Sequence, residues 1–141
     1  MVKEHQIIAG NFELAGRASS DLKRYLKQQD IYPRPFVSRV CSASYEAEIN
    51  VVIHSVGGYM TYEINDNHIE LDFYDDGPGI LDIEQAMLKG YSTANQIAHI
   101  NGFGAGMGLN NMYELSNRLT IHSSHRGTHI KMVFEVGERD V

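Results

Sequence analysis

An α/β domain, with helices lying on a sheet, is the fold class this sequence predicts, and three observations predict it. Two helical segments come early, one amphipathic and one apolar nearly all round; later strand-like runs pair off around short polar turns; and glycine clusters, missing from the first forty residues, punctuate the rest of the chain. A chain of 141 residues is about one ordinary domain. No repeat, low-complexity tract or linker divides it, so residues 1–141 read as a single domain that carries the whole function.

The first run, Gln6 to Leu14, is short and apolar enough for a strand, and Gly10 within it suggests a bulge or an edge position. Ala15 to Gln29 places Ala18, Leu22, Tyr25 and Leu26 at helical spacing, with Lys23, Arg24 and Lys27 between them. Its apolar stripe should lie on the sheet. Tyr32-Pro33-Arg34-Pro35 breaks the chain, and Pro35 suits the first turn of a second helix, expected from Pro35 to Ser55. Val37, Val40, Ala47, Ile49, Val51, Val52 and Ile53 surround that helix, which predicts burial. Glu46, Asn50 and His54 recur every fourth residue on it and share one polar stripe. They either satisfy one another or a solvated edge, or point at a ligand.

Gly57-Gly58 ends this helix, and Tyr59–Ile64 and His68–Tyr74 flank Asn65-Asp66-Asn67 as a hairpin. In the second of these strands Ile69, Leu71 and Phe73 alternate with Glu70, Asp72 and Tyr74, and the strand delivers Asp75 to its end. A helix is expected from Asp82 to Gly90, followed by a polar stretch, Tyr91 to Asn101, suited to a lid. The last helix contains Met112, Tyr113 and Leu115. Arg118–Ser124 and Thr128–Glu135 then form a second hairpin around His125-Arg126-Gly127.

Composition narrows the chemistry. Twelve Lys and Arg against eighteen Asp and Glu give a net charge of −6, which argues against direct nucleic-acid binding through massed basic side chains. A bound phosphate would be held by backbone N–H groups and a metal ion. Cys41 is the only cysteine, so no internal disulfide forms, and no run resembles a signal peptide or a membrane span. A cytoplasmic setting without membrane contact is expected. The seven histidines are scattered without the spacing that zinc requires.

Asp75, followed by Gly77 and Gly79, puts an acceptor at a strand end where a flat ligand can approach the backbone closely. The exocyclic amine of adenine is a donor of the right kind, and Ile80 could wall such a pocket. The same residues in isolation also make an ordinary turn. Gly102, Gly104, Gly106 and Gly108 alternate immediately ahead of the last helix, presenting N–H groups and a helix N-terminus to an anion. No Gly-x-x-x-x-Gly-Lys-Ser/Thr is present, and Gly104-x-Gly106-x-x-Leu109 lacks the final glycine of a dinucleotide fingerprint. The chain is also far shorter than a protein-kinase fold.

With these motifs in order, the chain resembles the ATP-binding domain of the GHKL superfamily, and within it the bacterial anti-sigma regulatory factor serine/threonine kinases. Glu46-x-x-x-Asn50-x-x-x-His54 resembles the N box, Asp75-x-Gly77-x-Gly79 the first glycine box, Gly104-x-Gly106-x-Gly108 the second, and Gly127-Thr128 the final Gly-Thr element. The resemblance implies a Bergerat-type two-layer α+β sandwich, with a mixed, mainly antiparallel sheet and helices on one face. It implies ATP and Mg²⁺ as cofactors, with Asn50 on the metal, Asp75 on adenine, Thr128 supporting it, and Gly104 to Gly108 on phosphate. Ile80, Ser92, Thr93 and Leu109 are further candidate contacts. Glu46 would be the general base toward a hydroxyl of a small antagonist protein; a sigma factor as second partner and a homodimer also fall within the resemblance. The alternatives are a nucleotide-dependent binding switch and a stand-alone histidine-kinase-like ATPase domain.

Overall fold

Among the described residues, five strands form one sheet in the order β1-β2-β3-β5-β4, with the helices packed against one of its faces. The computed structural model describes residues 2–8, 15–54, 57–65, 67–77, 108–124 and 126–140. The elements are β1 (Val2–Ile7), α1 (Arg17–Gln29), α2 (Arg34–His54), β2 (Gly58–Ile64), β3 (His68–Asp75), α3 (Gly108–Leu115), β4 (Arg118–Ser124) and β5 (Gly127–Glu135), closed by a 3-10 turn, Glu138–Asp140. The helix expected over 82–90 and the lid over 91–101 lie outside the described residues.

Every strand pairing among the described residues is antiparallel. The two-layer α+β class therefore stands, while the expected parallel component is absent among these strands. Two tight hairpins account for two of the pairings; β3 meets β5, and β1 meets β2, by longer connections that also reverse direction. The first strand is displaced from its expected place: it occupies Val2–Ile7, and residues 9–14 lie outside the described set. It is an edge strand, and Gly10, on which the expected bulge or edge position rested, lies outside the described residues. Its exposed Glu4 and Gln6 alternate with half-buried His5 and buried Ile7, a pattern masked in sequence by the more apolar run after it.

Alternation sets the core. Ile69, Leu71 and Phe73 on β3 and Ile130, Met132 and Phe134 on β5 are buried beneath the helices. On the opposite face Tyr59, Tyr74 and His129 stand in one cross-strand row, with ring centroids 4.9 Å and 4.2 Å apart, and His129 Nε2 lies 2.7 Å from Asp72 Oδ1. Helix α2 is the central rod, packed against both α1 and α3 as well as β3, which explains why its apolar residues run nearly all round. Helix α1 buries Ala18, Leu22 and Leu26 and ends at Asp30, whose left-handed φ of 52° closes the last turn.

The N-terminus of α1 is capped from outside its own sequence. Glu48, 2% exposed, accepts from the backbone N–H groups of Gly16 (2.9 Å), Ala18 (3.2 Å) and Ser19 (2.9 Å) and from the Ser19 hydroxyl (2.7 Å). A carboxylate there satisfies free N–H groups and favours the positive end of the helix dipole. Gly16 leaves room for the Tyr45 ring, which a Cβ at that position would meet at 2.7 Å. No described helix is long and apolar enough to cross a membrane.

Candidate functional site

Asp75 terminates β3 between two glycines that let neighbouring backbones come close. A Cβ on Gly58 would lie 1.9 Å from the Tyr74 carbonyl oxygen, and one on Gly127, where φ is +154°, would lie 2.1 Å from the Asp75 carbonyl oxygen. Neither position can carry a side chain without moving the strand end. The register then sets Thr128 opposite Asp75. One carboxylate oxygen, Oδ1, accepts from the N–H of Gly77 at 2.9 Å and from the N–H of Thr128 at 3.1 Å. Oδ2 takes no hydrogen bond from any described residue. Burial pushes the Asp75 carboxyl above its ordinary range, against the opposing pull of the Gly77 and Thr128 N–H bonds, with the Asp76 charge adding to the rise. The buried Thr128 side chain shares a hydrogen bond of 2.8 Å with Ser123.

A second group forms where α2 meets α3. Glu46 is half-buried; its Oε1 accepts from Asn111 Nδ2 at 3.3 Å, and its Oε2 lies 3.4 Å from the position a Cβ on Gly108 would take. Asn50, one turn along the same stripe, is also half-buried, and its side chain has no hydrogen bond to a described residue. Glu46 and Asn50 therefore do not satisfy one another. Gly108 opens α3, and Leu109 points into the core rather than standing free.

Two half-sites result: Asp75 with Gly77 and Thr128 at the end of the sheet, and Glu46 with Asn50 and Gly108 at the α2–α3 contact. Residues 78–107 join Gly77 to Gly108 in sequence. Gly79, Ile80, Ser92, Thr93, Gly104 and Gly106, together with the His54 side chain, lie outside the described residues. Chemically, the described set supplies a carboxylate acceptor for an amine, an amide oxygen of the hard type that Mg²⁺ prefers, a base, and the N-terminus of a helix. These groups fit ATP with Mg²⁺. Cys41 offers no competing nucleophile, since burial pushes its thiol up to about 11.

Sequence reasoning missed Asn111, Glu48 and Arg39. Asn111 had no signal beyond its place three residues after Gly108. Glu48 had one: a carboxylate on an otherwise apolar face of α2, away from the Glu46 stripe, needs a partner.

A sandwich of this topology with a carboxylate at the end of β3 and an Asn-bearing stripe on the central helix defines an ATP-binding domain class. Residues 36–138 match the family of histidine kinase-, DNA gyrase B- and HSP90-like ATPases, and the chain belongs to that family. Members bind ATP, generally with Mg²⁺. No curated protein matches the chain at a significant level. Among solved structures, the RsbU and RsbW domains of Rv1364c from Mycobacterium tuberculosis share the fold, with a TM-score of 0.65 at 12% identity over 96% of this chain. The chain spans 32% of that one.

Proposed function

We propose that this chain is an ATP-dependent serine/threonine protein kinase of the anti-sigma-factor type, working in the cytoplasm as one domain over residues 1–141. The observation that carries the proposal is Glu46. It lies on the same stripe as Asn50 and against the first residue of α3, where a base beside the γ-phosphate of ATP is needed. The likeness in fold to a protein that contains an RsbW domain supports the same reading.

In this reading Asp75 Oδ2 accepts from the adenine amine, while Thr128 holds Oδ1 and fixes the carboxylate's orientation. Gly77, Gly79 and Ile80 bound the adenine end. Asn50 would hold Mg²⁺, which when bound neutralises phosphate charge, and Gly104, Gly106 and Gly108, with Ser92 and Thr93, border the phosphates, while the Leu109 side chain packs in the core and only its backbone N–H is left to face them. Glu46 takes the proton of a serine or threonine hydroxyl on a small antagonist protein. That oxygen bonds to the γ-phosphorus, the bond from the γ-phosphorus to the bridging oxygen breaks, and ADP leaves. Phosphorylation of the antagonist would set which partner, antagonist or sigma factor, the kinase holds, and a homodimer would do so at two sites.

The test is incubation with γ-labelled ATP, Mg²⁺ and candidate antagonist proteins. Wild type is expected to label a serine or threonine of the partner. Glu46→Ala should keep ATP affinity and lose about 10²–10⁴-fold in rate, whereas Asn50→Ala should lose Mg²⁺-dependent binding. ATP binding with no labelling of any partner by wild type would replace the kinase reading with a nucleotide-dependent switch. No ATP binding at all would end both.

A further inference from the structure

We infer that Asn111 is the positioning residue of Glu46: its amide holds Oε1 and so leaves Oε2 as the atom that accepts the proton. The inference rests on the kinase reading for its chemistry, but its geometry is independent of that reading. Gly108 and Asn111 are three residues apart and therefore share one face of α3, while Leu109 and Met112 turn into the core. Among the described residues that shared face is what the Glu46 carboxylate meets on α3. Asn111 Nδ2 reaches Oε1 at 3.3 Å, and the missing side chain of Gly108 leaves room beside Oε2.

The donor type suits the role. A carboxylate that must act as a base has to be oriented without losing basicity, and a lysine or arginine at this position would hold it at the cost of a strongly lowered pKa. A neutral amide orients it more gently. Among the described residues the titratable group that senses Glu46 is Tyr45, whose phenol is held above its ordinary range by burial first and then by the charges of Glu46 and Glu48. No described cation forms an ion pair with Glu46.

The arrangement also links the two ends of the reaction. Asn111 lies in the first turn of α3, directly after the glycine cluster that would cradle phosphate, so the helix that meets the nucleotide is the helix that aims the base. A shift of α3 would move both together.

The test compares wild type with Asn111→Ala, Asn111→Asp and Asn111→Gln by three readouts. These are ¹³C NMR titration of the Glu46 carboxyl, calorimetric binding of MgATP, and the pH profile of phosphoryl transfer. Glu46→Gln assigns the resonance. Asn111→Asp sets a like charge beside Glu46 and should move the acid limb of the rate profile to higher pH. Asn111→Ala should slow transfer about tenfold with MgATP affinity within about twofold, and Asn111→Gln should restore part of that loss. A Glu46 titration unchanged in both Asn111→Ala and Asn111→Asp overturns the inference. Wild type that binds MgATP but transfers no phosphate overturns the kinase reading instead, and the titration still decides whether Asn111 holds Glu46. Where Asn111→Asp does not fold, Asn111→Ala against Asn111→Gln makes the same comparison.

Discussion

Two aspartates at different ends of the molecule, Asp75 and Asp140, are both withdrawn from water and are treated in opposite ways. Asp140 is 1% exposed and meets Arg39, itself 7% exposed. Arg39 donates from Nε and Nη2 to the two Asp140 oxygens at 2.9 Å, from Nη1 to the Leu115 carbonyl at 2.7 Å and Asn117 Oδ1 at 3.0 Å, and from Nη2 to the Glu135 carbonyl at 2.9 Å. All five guanidinium N–H donors are used. The Arg39 hydrogen bonds hold the Asp140 carboxyl below its ordinary range, against burial, with help from the Gly137 N–H. Among the described residues Asp75 has no cation, two N–H bonds on one oxygen and none on the other, and its carboxyl is pushed up. A saturated carboxylate ties elements together; an unsaturated one is ready for a ligand.

Breaking the saturated end should cost most. Arg39→Ala leaves the Asp140 charge, the Leu115 and Glu135 carbonyls and Asn117 without their donor, and is expected to lower stability by about 3–5 kcal/mol in urea unfolding. ATP affinity of the fraction that stays folded should change little, because the clasp joins α2, α3, β5 and the C-terminal turn away from Asp75. A loss of affinity without a loss of stability would contradict the division.

Glu48 is the second saturated carboxylate. Glu48→Ala removes the shared acceptor of Gly16, Ala18 and Ser19, and about 2–3 kcal/mol of stability should go with it. Glu48→Gln, which keeps one acceptor oxygen, should lose less in the same denaturation experiment.

Acid sharpens the contrast by its sign. The folded pKa of Asp140 lies below its unfolded value of about 3.9, so the unfolded chain binds the proton first. Its contribution to stability is present above the unfolded value and is lost as pH falls through the folded one. The gap in melting temperature between wild type and Asp140→Asn should therefore be full near neutrality and shrink below about pH 4. Asp75 runs the other way: its folded pKa is raised, so stability it contributes in acid is lost as pH rises through that value. Asp75→Asn should be at least as stable as wild type at neutral pH.

Much of this was legible in the sequence where the signal is local. The stripe Ala18, Leu22 and Leu26, the alternation in His68–Tyr74 and the hairpin at Gly127 each arise from short-range periodicity, and the structure returns them within a residue or two. Asp75 was also legible as a candidate, because a strand end and two glycines mark it, while Thr128 came only through the family resemblance. What was not legible is long-range. The Glu48 cap spans 32 residues at its widest, Asn111 to Glu46 spans 65, and Arg39 to Asp140 spans 101. A sequence shows that a buried charge needs a partner but not which residue supplies it. The first strand failed for a different reason: an edge strand needs only one covered face, so polar Lys3, Glu4 and Gln6 hid it beside a more apolar run.

Calorimetric titration of wild type and Asp75→Asn with MgATP and MgGTP tests the central claim most directly. The asparagine can still accept from Gly77 and Thr128 through its oxygen, but it turns an N–H donor toward the amine of adenine. Wild type should bind ATP in preference to GTP, and Asp75→Asn should lose ATP affinity by about a hundredfold while remaining folded. ATP affinity unchanged in a folded Asp75→Asn protein, or equal binding of ATP and GTP by wild type, would contradict the assignment of Asp75 to adenine.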